Sequence, residues 1–157
     1  MIQNPVTPLF NDVNGNLIAP VLNAAGALPT ASAAVASDTG ALLTYTNAAT
    51  GTNGADKTNA TARGIKIVVD ITAISGTAAS LTVTLQGKDA ASGKYYTILA
   101  SAALTTVSTT VLTVFPAATA SANVSVNDEL PAIWRVIATI AGTTPAVTAT
   151  VGASLLA

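Results

Sequence analysis

The side chains of this chain with the most chemistry in them are seven acids: Asp12, Asp38, Asp56, Asp70, Asp89, Asp128 and Glu129. Only Asp128 and Glu129 are adjacent, in "VNDELP". Neighbouring acids of this kind are candidates for a calcium loop or for glycosidase carboxylates. The D-x-[DN]-x-[DN] spacing that collects oxygen ligands around a cation is missing, so the run reads as a solvated turn between two strands. The stretch "DAASGKYY" carries the Gly-Lys of a phosphate loop. The full G-x-x-x-x-G-K-[ST] pattern fails, because Tyr95 follows Lys94 and no helix signal comes after it. It reads as a hairpin turn in which Gly93 supplies the positive φ.

Nucleophilic chemistry meets a similar gap. The chain contains no Cys and no His, which removes the thiol nucleophile, the disulfide, the commonest general base and the usual pH switch. Ser75, Ser92, Ser101 and Ser108 are left with Lys88 or Lys94 as activating partners, and both lysines sit in a turn where depression of their pKa is not expected. Tyr95, Tyr96 and Trp134 invite a sugar-stacking reading. Successive residues of a strand point to opposite faces, so only one of the two tyrosines can join Trp134; the simpler reading is one core and one surface aromatic. Arg135 points away from Trp134 and either pairs with an Asp across the sheet or between subunits, or lies on a solvated face. Asn59-Ala60-Thr61 and Asn123-Val124-Ser125 match the glycosylation pattern, which a Ser/Thr-rich chain produces by chance. No catalytic, cofactor-binding or metal-ligating residue is therefore expected. The residues that stand out are structural: Gly93, Pro116, Pro131, Trp134 and Arg135.

The elements that position these residues follow from composition and periodicity. The 157 residues suit one domain, or one domain with an arm. Charged residues make up 8% and the net charge is −1, against a norm of roughly 25% charged. Nothing here attracts nucleic acid or an anionic membrane. The uncharged run from Val13 to Ser37 contains Asn14, Gly15, Asn16, Pro20, Asn23, Gly26 and Pro29, a set that a spanning helix does not tolerate. The start "MIQNPVTPLF" has no basic segment and no apolar core, so it does not read as a signal peptide. Six aromatics are too few for the girdles of a membrane barrel. A β-protein built from Ala, Thr, Val and Ser remains, with a neutral surface suited to subunit contact.

Residues 1–62 are rich in Ala, Asn, Thr, Gly and Pro with weak periodicity, and are expected to form an extended arm with little regular structure. The Ala-rich run 23–37 reads as irregular or extended, since Gly26 and Pro29 interrupt any helix. Residues 63–157 carry the strand signals. "GIKIVVDITAI" places Ile65, Ile67, Val69 and Ile71 on one face, "LTVTLQG" does the same for Leu81, Val83 and Leu85, and "SGTAAS" separates them as a turn. "YYTILAS" is the hairpin partner. "TTVLTVF" stops at Pro116, with Leu104, Val111, Val114 and Phe115 counted as core. "AIWRVIATIA" and "AVTATVGASLL" are separated by a second turn, "GTTP". Six or seven strands with turns every 8–12 residues indicate an all-β, antiparallel β-sandwich, jelly-roll or immunoglobulin-like, behind an N-terminal arm. Its Thr-rich exterior has few Lys or Pro guards against edge pairing and is suited to being covered by neighbours.

Residues 63–157 also carry a resemblance. The pieces Val69-Asp70-Ile71-Thr72, Gln86-Gly87-Lys88-Asp89, Ser92-Gly93-Lys94-Tyr95-Tyr96, Leu130-Pro131, Trp134-Arg135-Val136 and Val151-Gly152-Ala153 are similar to segments of small β-rich virion proteins of tailed bacteriophages. The resemblance implies a non-enzymatic structural component located on the virion, a head decoration or minor capsid protein whose partner is the major capsid protein or other virion proteins. In such a protein Gly93 serves a turn, Trp134 a core and Arg135 a polar face. It further implies self-association into a closed homo-oligomer, with a trimer suited to the three-fold sites of a capsid lattice. The alternative function is a tail or fibre module that binds a host carbohydrate.

Overall fold

In the computed structural model, residues 10–11, 17–18 and 38–157 are described, with side chains from residue 40 onward. The chain divides into two units, Met1–Ala33 and Ala34–Ala157. In the first, β1 (Phe10–Asn11) pairs antiparallel with β2 (Leu17–Ile18). The Ala-rich run 23–37 and Asp12 lie outside the described residues.

The second unit is all β. Its strands are β3 (Asp38–Ala48), β4 (Lys57–Thr58), β5 (Gly64–Lys88), β6 (Tyr95–Ala100), β7 (Ser108–Val114), β8 (Ser125–Val126) and β9 (Ile133–Leu156). They form one open sheet in the order β3-β9-β5-β7-β8, with β4 added beside β9 and β6 beside β5. The sheet is mixed, because β7 and β8 run parallel at Thr113–Ser125 and Val114–Val126. This departs from the purely antiparallel arrangement expected from the sequence. Strand β3, itself antiparallel to β9, departs from a different expectation. It falls inside the segment read as an arm, yet it pairs with β9 from Asp38↔Ser154 to Ala48↔Val147 and buries Leu43 and Tyr45. Its "LLTYT" alternation is short and its register shifts twice before Leu43, which hides the period from a sequence scan.

The larger departure concerns the turns. "SGTAAS" and "GTTP" do not end strands. β5 and β9 run through them as 25- and 24-residue partners. Gly76 and Ala78 on β5, and Gly142 and Thr144 on β9, take φ of 112°, 53°, 122° and 48°, so both strands bend at the same level. From Ile71 to Leu81 β5 takes ten steps, where β9 takes nine between their partners Ala149 and Ile140. That extra residue is a β-bulge. It also explains burial. On β9 the buried set changes from Trp134, Val136 and Ala138 to Val147, Ala149, Val151 and Ala153, while the buried apolar side chains of β5 stand at odd-numbered positions on both sides of the bend. Without the bulge, half of one strand would turn its apolar side to water.

The bend brings the ends of β5 to one place. Leu130 N–H donates to Arg63 O at 3.0 Å and Asn59 N–H donates to Ala132 O at 2.8 Å. A few residues further on, Trp134 pairs with Gly87 near the far end of β5. A straight strand of this length would span about 80 Å. Both halves of β5 and β9 contribute to a single apolar cluster with Leu99, Leu112, Leu130 and Leu43. Burying each of the larger members contributes roughly 1.5–3 kcal/mol. Val111 is not among them: it is 42% exposed, because Leu112 and Val114 face inward and alternation sends Val111 outward.

Candidate functional site

The densest polar constellation grows from the far half of the sheet. Gln86 on β5 lies opposite Arg135 on β9, and Lys88 lies opposite Tyr95 on β6. All four belong to the side turned away from the core, and Asp56, two residues after Gly54, reaches over them. Gly54 is fixed by its N–H bond to Val136 O at 2.8 Å. Arg135 Nε donates to Gln86 Oε1 at 2.9 Å, and its guanidinium carbon sits 3.4 Å from the centroid of the Tyr95 ring. Tyr95 OH donates to Asp56 Oδ1 and Lys88 Nζ to Asp56 Oδ2, both at 2.8 Å. These bonds, that of Lys88 first and that of Tyr95 second, hold the Asp56 carboxyl below the usual aspartate range. Asp56 in turn holds the Lys88 ammonium above its ordinary value.

That constellation answers the open question about Arg135. Its partners are the Gln86 amide oxygen and the Tyr95 ring rather than an aspartate, and Asp56 is joined to it through Tyr95. The arrangement fastens four chain segments together. It does not make Lys88 a base, since a raised pKa is the reverse of what activating a serine needs. Asp56, in a loop with no motif around it, gave no signal in the sequence.

The other singled-out residues serve local structure. Gly93 has φ 69° in the β5–β6 hairpin and donates to Asp89 O at 2.8 Å. Ser92 N and Oγ both donate to Asp89 Oδ2, and these bonds hold that carboxyl below its usual range. Pro116 stands two residues beyond Val114, the end of β7, and Ala118 N–H closes a turn onto Phe115 O at 3.0 Å with Ala117 at φ 66°. Pro131 approaches Gly87 so closely that a Cβ there would lie 2.9 Å from Pro131 Cγ and 2.5 Å from Tyr96 Cζ. Trp134 is 1% exposed, so it offers no platform to a sugar; its indole N–H has no hydrogen-bond partner among the described residues. Tyr96 is exposed and Tyr95 half-buried on the Arg135 side.

The remaining candidate residues are likewise engaged in structure. Ser101 Oγ accepts from Val83 N–H at 3.0 Å and donates to Ala102 O at 2.7 Å. Asn59 Nδ2 donates to both Ala62 O and Leu130 O, so its amide is occupied in joining the approach to β5 with that to β9. Asp128 and Glu129 are exposed in a turn where Glu129 N–H donates to Asp128 Oδ1. Among the described residues no three acids gather as a metal site, and no helix is long and apolar enough to cross a membrane.

One open groove of about 380 Å³ lies at the other end of the sheet, lined by Lys66, Thr113, Phe115, Ala118, Leu156 and Ala157. The Arg63 guanidinium stands 5.8 Å from the centroid of the Phe115 ring at its side. No protein-family model, no curated protein and no solved structure matches the chain.

Proposed function

We propose that this chain is a virion structural protein of a tailed bacteriophage, a capsid decoration or minor capsid protein that binds and reinforces the head lattice. Its work is contact, with the major capsid protein and with its own copies, and not catalysis. The resemblance of residues 63–157 to such proteins supports this reading. So does the polar chemistry: the Asp56–Lys88–Tyr95–Arg135 constellation is engaged in joining strands. The bent sheet forms a two-layer sandwich in this reading, a stiff module that presents strand edges and sparsely charged faces.

The observation that carries the reading is the outer edge of β7. β8 covers it only at Thr113 and Val114. Among the described residues, Ser108–Leu112 has no strand partner on that side, and "STTVL" contains neither charge nor proline. Natural edges carry such guards to prevent pairing with another chain. A neutral edge next to exposed Val107 and Val111 is suited to accepting a strand from a neighbour.

The test is reassociation. Purified chain mixed with heads stripped of their accessory proteins is expected to co-sediment with them and to occupy a repeating position in an electron-microscopy map. Native heads that lack the protein would overturn the reading.

A further inference from the structure

The outer face of the other half of the sheet has a symmetry of its own. Strand register sets Ala41, Gly152, Val68 and Val111 side by side across β3, β9, β5 and β7. This central row is uncharged; Val68 and Val111 are 37% and 42% exposed, and Gly152 adds no side chain. One row away lies Asp70, between Thr150 and Thr109. One row away on the opposite side lies Lys66, between Ser154 and Thr113. Lys66 and Asp70 are four residues apart on one strand, about 13 Å, too far to pair with each other. Among the described residues, Asp70 accepts a hydrogen bond from Thr109 Oγ1 at 2.8 Å but meets no cation, and Lys66 has no hydrogen-bond or ion-pair partner.

We propose that this face docks a second copy of the chain across a two-fold axis that runs along the central row. A half-turn about that row keeps each strand over its own counterpart and reverses its direction. Val68 then meets Val68 and Val111 meets Val111, while each Lys66 stands opposite the partner subunit's Asp70. The Thr150 and Thr109 positions meet Ser154 and Thr113, which hydrogen-bond without charge. The contact is isologous, and complementarity follows from the order base–apolar–acid along β5, which is its own complement when read backwards. Packed sheets lie about 10 Å apart, a spacing that two valines fill and that Gly152 does not obstruct.

The inference rests on the self-association in the proposed function, and it specifies a two-fold contact in place of the trimer that lattice geometry suggests. The patch covers about 350–400 Å² at strand spacing, half of the roughly 800 Å² per partner in a standard interface. The contact is accordingly weak in solution and gains from the avidity of a many-copy assembly.

Sedimentation velocity of the full chain tests it, between about 10 µM and about 1 mM. The dimer fraction is expected to rise with concentration and to fall with salt. Lys66→Asp and Asp70→Lys are each expected to weaken association by about ten-fold or more, by placing like charges opposite one another. The two substitutions together restore it to within a few-fold, because the swapped order is again its own complement. Val68→Asp, which sets two acids on the axis, is expected to abolish it. Circular dichroism confirms that each variant is folded. A dimer indifferent to the single swaps, or a double swap no better than either single one, overturns the contact. A wild-type chain monomeric throughout also overturns it, whereas reassociation with stripped heads decides the structural-protein reading separately.

Discussion

Gly76 on β5 and Gly142 on β9 each back onto the other strand's main chain. A Cβ on Gly76 would lie 2.6 Å from Thr144 O, and one on Gly142 would lie 2.8 Å from Ala79 Cα. Both have φ beyond 110°, where L side chains are strained. The two glycines therefore let a pair of hydrogen-bonded strands bend together without separating. Gly142→Ala is expected to lose about 2 kcal/mol or more of stability, through strain and a backbone contact that cannot yield. Gly93→Ala meets no atom within 4 Å and has only its φ of 69° to overcome, so its loss is expected to be smaller. Urea denaturation of the two variants gives the comparison; equal losses would show that the close approach contributes nothing.

The same bend marks where the sequence was legible and where it was not. The alternations around Ile65–Ile71, Leu81–Leu85 and Val147–Ala153 identify buried faces because a period of two is a local property. Whether "SGTAAS" ends a strand or kinks it depends on what lies opposite. "GTTP", whose Gly142 lies 66 residues beyond Gly76, supplies the matching kink, and no local signal records that pairing. β3 was missed for a related reason: its irregular register breaks the alternation while β9 still pairs with it. Among the site residues, the turn role of Gly93 and the burial of Trp134 follow from residue type. Asp56 is different, since its role comes from the strands that carry Lys88 and Tyr95 to it.

Trp134 is the chain's one tryptophan and is packed in the core with its N–H unpartnered among the described residues. Trp134→Ala is expected to cost about 3–5 kcal/mol, the usual range for emptying such a site. Trp134→Phe keeps an aromatic ring and removes a buried donor that makes no bond, so its cost is expected to be well below that of the alanine variant. Chemical denaturation measures both. In the wild type, tryptophan emission should be blue-shifted and poorly quenched by iodide; accessible fluorescence would contradict the burial.

Strand β3 makes a truncation series informative. A chain starting at Asp38 keeps all seven strands of the larger sheet, while one starting at Arg63 loses β3 and β4 together with Leu43 and Tyr45. Removing a large buried side chain costs about 2–5 kcal/mol, and a domain has only about 5–15 kcal/mol in total. The 38–157 chain is therefore expected to unfold cooperatively, and the 63–157 chain to be largely unfolded at room temperature. Thermal unfolding followed by circular dichroism separates them. Equal midpoints would return residues 38–62 to the status of an arm.

The Asp56–Lys88 contact has a pH signature with a definite sign. Asp56 titrates lower in the folded chain than in the unfolded one, chiefly through its bond from Lys88 and then that from Tyr95. Its stabilising contribution is thus present above the unfolded value of about 4 and is lost as pH falls through the lower folded value. Lys88 titrates higher in the folded chain. Its contribution is complete below the unfolded value of about 10.4 and is lost as pH rises through the higher folded one. The two describe one contact and are not added. Asp56→Asn keeps an acceptor for Tyr95 but removes the charge, so the stability difference from wild type is expected to be constant between about pH 5 and about pH 9 and to shrink on either side. The contact is solvent-exposed, so the difference should be small and should fall further in high salt. Urea midpoints of both proteins across that range measure it; a difference that grows below pH 4 would mean that the carboxylate destabilises the fold and that its short contacts do not persist in solution.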